Sequence, residues 1–306
     1  MTGRVHPAAW VLSAVAALTV VASSSAAVPA GAQGEPSGPP VRTVTFVDTS
    51  RATPGVTDPH RSAKNSRTLK TTIWLPAHPN GTYPLIAFAH GCGGSARDYA
   101  PLLQAWAAAG YVVAAPDFPV SSLHSPGVAC ATDIANQPGD ISFVITRVLA
   151  LDRARHGLGH IVDRAHIGVA GHSLGGVTTL GVAFRSCCRD RRIMAAISFA
   201  GTPLIRGTDF HGVATPLMLV HGDADQTVNY SASVTAFAKA VGPRDLLTIL
   251  GGMHSGYLVG SDPVSQAVRR ATLDFWAGYL RNDSAALARL RSDAVIPGAT
   301  TLQSAG

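Results

Sequence analysis

Gly171-His172-Ser173-Leu174-Gly175-Gly176 decides how this chain is read. A short apolar run, His166–Ala170, precedes it, and a helical stretch, Leu174–Phe184, comes after it. That is G-x-S-x-G in a strand–turn–helix setting. The glycines two residues before and two after the serine let strand and helix approach closely. The serine hydroxyl would then stand at a helix N-terminus, where the aligned peptide dipoles favour developing negative charge. A glycine-rich turn with a passive serine is the bland alternative, and the flanking strand and helix argue against it. Ser173 is therefore the candidate nucleophile.

Working outward, apolar runs alternate with helical stretches. Val41–Val47 and Leu69–Leu75 alternate apolar and polar residues. Pro84–His90, Tyr111–Ala115, Met194–Phe199, Pro216–Val220 and Leu246–Leu250 are short runs of the kind buried in parallel sheets. Asp98–Ala109, Asp140–Arg155, Ser231–Ala240 and Val264–Leu280 read as helices between them. This order predicts a doubly wound, mostly parallel α/β sheet, whose ligands bind beyond the C-terminal ends of the strands.

Three loops at those ends carry chemistry. His90-Gly91-Cys92-Gly93-Gly94-Ser95 is glycine-rich and lacks the lysine of a phosphate-binding loop. Attack on an ester creates an oxyanion that needs two aimed N–H donors. Cys92 and Leu174 are expected to supply them from the backbone. His221-Gly222-Asp223-Ala224-Asp225-Gln226 offers two carboxylates, and Gly251-Gly252-Met253-His254-Ser255-Gly256 offers an imidazole. A serine needs a base, and the base needs a carboxylate to fix its tautomer. The chain order Ser173, Asp225, His254 is that of α/β-hydrolases. Asp225 is preferred to Asp223 because it lies deeper in the loop, and Asp223 reads as a turn or capping residue. His90, His172 and His221 take packing or supporting roles.

The chain has 306 residues, 46% of them hydrophobic and 14% charged, which excludes a wholly disordered protein. Its formal charge is +6, but the arginines are scattered, so no nucleic-acid partner is expected. No metal-ligand spacing occurs, and neither a metal nor a cofactor is expected. Residues 1–32 read as a secretory signal: Arg4, an apolar run at Val11–Ala22, then small residues, with cleavage after Ala32 or Ala27. That run is too short to span a bilayer. Residues 33–40 read as a flexible leader, 41–283 as the catalytic domain, and 284–306 as a short helix and loose tail.

Taken together, the motifs resemble secreted α/β-hydrolase-fold serine esterases, the lidless group around dienelactone hydrolase, chlorophyllase and platelet-activating-factor acetylhydrolase-like proteins. The resemblance runs from about Leu69 to Leu280. It rests on His90–Gly94, Ala109–Asp117, Gly171–Gly176, His221–Asp225 and Met253-His254. It implies Ser173 as nucleophile, His254 as base, Asp225 as orienter and the Cys92 and Leu174 N–H groups as oxyanion donors, with Asp117 structural. It implies hydrolysis of carboxylic esters through an acyl-serine. Dienelactone hydrolases carry a cysteine nucleophile where this chain has Ser173. Related polyester hydrolases carry an aromatic and a methionine where this chain has Cys92 and Leu174. A peptidase or amidase, a cutinase-like polyester hydrolase, and a non-catalytic envelope-binding protein are the alternatives.

Ala200–Thr215 is too short for a helical cap, so the site should be open, without a lid domain, and suited to short or medium acyl groups. Phe118, Phe210 and Tyr257, each after a strand end, are the candidate walls. Cys92 and Cys130 both fall in loops at the catalytic edge. Cys187 and Cys188 lie beyond the nucleophile helix, about 18 Å away at ~1.5 Å per residue, past the ~7 Å limit between bridged Cα atoms. The expected pairing is Cys92–Cys130, with Cys187 and Cys188 as a vicinal bridge or free thiols. The expected form is a secreted monomer with no stable membrane anchor, acting on a small-molecule or polymeric ester.

Overall fold

A computed structural model describes residues 38–55, 63–77, 80–125 and 128–306. The signal-like segment 1–32 and most of the leader lie outside the described residues. Elements run in the order β1 Val41–Asp48, β2 Arg67–Trp74, β3 Tyr83–Ala89, a 3₁₀ turn Ala96–Tyr99, α1 Ala100–Ala108, β4 Val112–Asp117, α2 Cys130–Asp133, α3 Gln137–Arg153 and β5 Val162–His172. They continue as α4 Leu174–Phe184, β6 Ile193–Phe199, β7 Leu217–Gly222, α5 Ser231–Lys239, β8 Arg244–Ile249, α6 Pro263–Arg281, α7 Ser284–Asp293 and β9 Thr300–Ala305.

The strands form one sheet ordered β1-β2-β4-β3-β5-β6-β7-β8-β9. Strands β3 to β8 are parallel; β1, β2 and β9 run antiparallel to their neighbours. Side chains alternate faces along a strand, and β3 shows the consequence. Its Leu85, Ala87 and Ala89 pack under α3, α4 and α5. Its Ile86 and Phe88 pack under α1, α6 and α7. Both faces are apolar because both are covered, as the continuous runs in the sequence imply. The segment from Ala200 to Pro216 contains turns and one isolated bridge, Arg185 with Thr208, and no helix.

The C-terminal end departs from expectation. Residues 284–293 form α7, but the chain does not then trail off as a loose tail: Thr300–Ala305 pairs with β8 from Ile249↔Thr300 to Arg244↔Ala305. Without β9 the outer edge of β8 would present unpaired N–H and C=O groups.

A buried ion cluster ties the sheet to the catalytic edge. Arg67 on β2 is fully buried and directs its donors at Asp140 of α3 (2.6 and 2.6 Å), Asp133 of α2 (2.9 and 2.6 Å) and the Ala52 carbonyl (3.4 Å). Burial works against its charge, but the two carboxylates more than offset it and keep the guanidinium protonated. Helix α2 begins at Cys130, which is bonded to Cys92. Arg67→Met should therefore lower unfolding free energy by about 3–5 kcal/mol, because it leaves buried Asp133 without its charged partner and Asp140 with Arg51 alone, at 2.8 Å. Urea denaturation checks this, and a loss below about 1 kcal/mol would contradict the assigned role.

Candidate active site

Strand β5 ends at His172 and helix α4 starts at Leu174, so Ser173 occupies the whole turn. Its backbone sits at φ 57°, ψ −118°, a conformation an L-residue adopts only under strain. The turn is this tight because α4 lies against β3: a Cβ on Gly175 would collide with the Ala89 carbonyl. Ser173 is half-buried. Its hydroxyl makes no hydrogen bond with the described residues, and catalytic hydrogen bonds are often loose before substrate arrives.

Of the two aspartates, Asp225 is the one placed against His254. His254 Nδ1 lies 2.7 Å from Asp225 Oδ2. A carboxylate only accepts, so Nδ1 carries a proton, and in the neutral ring Nε2 is then the nitrogen with the lone pair. Asp225 is buried, and its Oδ1 accepts from the Thr227 and Val228 amides at 2.7 and 3.0 Å. Burial alone would raise its pKa; the His254 bond and these amides outweigh that and hold it below the ordinary carboxylate value. Asp223 is exposed and, among the described residues, accepts from the Gly251 amide alone, at 2.6 Å.

In the glycine-rich loop the amides of Gly91, Gly93, Gly94 and Ser95 are engaged. Gly91 donates to Tyr99 Oη (3.0 Å), Gly93 to the Ser121 carbonyl (2.8 Å), Gly94 to the Gly91 carbonyl (3.1 Å) and Ser95 to Asp98 (2.8 Å). Cys92 N–H has no partner among the described residues. Its side chain is bonded to Cys130, with Cα atoms 5.7 Å apart, while Cys187 and Cys188 form a vicinal pair. Leu174, at the first position of α4, has an N–H with no intrahelical acceptor.

The three expected wall residues sit in the core. Phe210 packs on Phe184 at 4.9 Å beneath α4, Phe118 on His90 at 4.9 Å, and Tyr257 is buried with its hydroxyl toward the Val220 carbonyl. Aromatic rings bury more area than any other side chain, which draws them inward from loops as well. Aliphatics stand exposed on the same loops instead: Leu123, Val128, Leu204 and Met253. Leu123 is tied to the glycine-rich loop through Gly94, at 2.9 Å.

Two histidines do more than their sequence positions indicate. His221 donates from Nε2 to Asp225 Oδ2 and the Val228 carbonyl, both at 3.0 Å, and accepts from Ser233 at 2.7 Å. Asp225 thus holds two imidazoles on one oxygen. His172 bonds Tyr99 and the His254 carbonyl, each at 2.9 Å. A histidine beside a functional loop gives no sign of which acceptor will face it, so only Asp225's position two residues past Asp223 hinted at this arrangement. Among the described residues no three His, Cys, Asp or Glu side chains group as metal ligands.

A family model described as chlorophyllase matches residues 47–250. The chain belongs to the chlorophyllase family. The match runs from the last two residues of β1 to the end of β8; it takes in the elbow serine and the Asp225 loop and stops short of His254. As a chlorophyllase-family protein it is a hydrolase of the α/β-hydrolase superfamily.

Burial pushes His90, His221 and His172 of this chlorophyllase-family protein below the ordinary histidine value, His172 to about 4. The unfolded chain then binds protons that the folded chain refuses. Their contribution to stability is complete above the unfolded value, near ~6.5, and is lost as pH falls towards the folded values, with a slope up to ~1.4 kcal/mol per pH unit for each. The urea midpoint should therefore drop between pH 7.5 and 5; a flat or rising midpoint would refute it.

Proposed function

We propose that the chain is a secreted, monomeric serine esterase that cleaves carboxylic esters with short or medium acyl groups. The observation that carries this reading is the buried Asp225 carboxylate on His254, at the sheet edge where Ser173 occupies a strained strand-to-helix turn. Ser173 Oγ attacks the carbonyl carbon while His254 Nε2 takes its proton. Asp225 stabilises the imidazolium without accepting that proton. The oxyanion is held by the N–H groups of Cys92 and Leu174, each worth ~3–4 kcal/mol when such a donor is lost. Collapse breaks the carbonyl–oxygen bond, and His254 returns the proton to the departing alcohol. Water then repeats the sequence on the acyl-serine and releases the acid.

Two further observations support the reading. The segment from Ala200 to Pro216 has no helix to cover the site, and the exposed aliphatics Leu123, Val128, Leu204 and Met253 suit the apolar part of a substrate. The signal-like residues 1–32 and the Cys92–Cys130 disulfide suit export to an oxidising compartment.

Phenylmethylsulfonyl fluoride should place one adduct, on Ser173. Across p-nitrophenyl acetate, butyrate and palmitate, turnover should be faster on the two shorter esters. Fastest turnover of palmitate would reject the acyl-length assignment, and an unmodified, inert protein would reject the esterase reading.

A further inference from the structure

We propose that Tyr99 and His172 are positioning residues that form a buried bridge between the loop of the oxyanion donor and the loop of the base. The proposal rests on the esterase reading and adds two residues to it.

The bridge is dictated by where each proton must sit. Gly91 N–H can only donate, and it donates to Tyr99 Oη at 3.0 Å. The His254 carbonyl can only accept, and His172 Nε2 lies 2.9 Å from it, so Nε2 carries a proton. His172 is neutral at ordinary pH because burial disfavours its charged form, so Nδ1 is bare. Tyr99 Oη, 2.9 Å from Nδ1, must donate to it. The sequence Gly91 N–H to Tyr99 O–H to His172 to the carbonyl of His254 then has a single arrangement, with every donor matched to one acceptor.

The ends of this bridge matter more than its middle. One is the residue before Cys92, whose own N–H has no partner among the described residues. The other is the backbone of His254 itself. Three separate chain segments thus meet through two side chains, and both are buried: Tyr99 is 7% exposed and His172 5%. Gly91, where the bridge begins, also lies beside the third participant. A Cβ placed on Gly91 would lie 3.0 Å from Tyr99 Oη, 3.2 Å from His172 Nδ1 and 3.3 Å from Ser173 Cβ. The His172 ring centroid is 4.6 Å from that of His254 and 5.7 Å from that of Tyr99. Neither side chain holds a group that the chemistry needs, so both act through the loops they connect.

The test compares the full protein with Tyr99→Phe, His172→Phe, His172→Gln and the double Phe variant. Reactive sites are counted with a p-nitrophenyl alkylphosphonate, so that unfolded protein does not count as slow enzyme. Per titrated site, kcat on p-nitrophenyl butyrate should fall ~10–100-fold in each Phe variant, the cost of a small misplacement, with KM within about twofold. The double variant should lose about as much as either single one, because both cut the same bridge. His172→Gln keeps a donor and an acceptor and should recover part of the loss. Hydrogen exchange should rise in both segments, 90–95 and 251–256, whichever residue is changed. Unchanged kcat per site, losses that multiply, or exchange confined to one loop would overturn the bridge. A wild-type protein inert to both ester and phosphonate would reject the esterase reading instead; exchange alone then decides the bridge by the same criterion.

Discussion

Ser173→Ala is expected to lower kcat/KM on p-nitrophenyl butyrate by at least ~10⁴-fold, because a triad without its nucleophile retains only what the oxyanion donors and binding supply. The folded state should hardly notice. The Ser173 hydroxyl makes no hydrogen bond with the described residues, so its removal strands no partner. Alanine also keeps the Cβ, so the strain of φ 57° is unchanged, and the unfolding free energy should stay within ~0.5 kcal/mol of wild type. Ser173→Gly separates the two properties further. It is equally inactive, yet glycine accepts this backbone region freely, and release of the strain should offset its larger unfolding entropy, for a gain of ~1 kcal/mol. The measurements are steady-state kinetics and urea midpoints on the three proteins. More than about 1% residual activity in the alanine variant would mean that some other group attacks the ester, and the reading of the turn would fall.

The parts of this molecule legible in sequence are those governed by burial and by backbone geometry. The runs from Pro84, His166, Met194 and Pro216 are largely apolar because helices cover both faces of the central strands, and each lies in a strand within a few residues of its expected ends. The elbow was legible because Gly171 and Gly175 are required by close approach of backbones, which no other residue type permits. Strand β9 was not legible. Thr300–Ala305 has little apolar content of its own, and its pairing is set by the edge that β8 leaves open about 50 residues away. Phe118, Phe210 and Tyr257 lie buried rather than open at the edge, because a strand-end position says where the backbone emerges, not which way a ring turns. Tyr99 carried no signal: it ends a short 3₁₀ turn, and its importance comes from residues 91 and 172, met only in the fold.

Asp225→Asn should lower kcat by ~10³–10⁴-fold with little change in KM, while Asp223→Asn should change kcat less than about twofold. The asymmetry comes from counting donors. Asp225 receives four: two imidazole N–H groups on Oδ2, from His254 and His221, and two amides on Oδ1, from Thr227 and Val228. An asparagine has one acceptor oxygen and one NH₂. If the oxygen faces the amides, the NH₂ confronts His254 Nδ1 and drives its proton to Nε2, so the imidazole meets Ser173 as a donor and cannot act as base. If the amide flips, its oxygen restores the imidazoles but the NH₂ faces two backbone N–H groups with no acceptor between them. The second arrangement leaves buried donors unmatched at ~1–3 kcal/mol, so the first should dominate. His221 can keep its proton on Nε2 in either case, because the Val228 carbonyl also accepts it. The loss should therefore appear in kcat more than in the urea midpoint. Asp223 accepts one exposed amide, and an asparagine oxygen there replaces the carboxylate without a change of tautomer anywhere. Steady-state kinetics on both variants, with histidine tautomers read by nitrogen NMR, checks the argument at each step. Full activity in Asp225→Asn, or a His254 still protonated on Nδ1 in an inactive one, would show that the carboxylate does not act by fixing the tautomer.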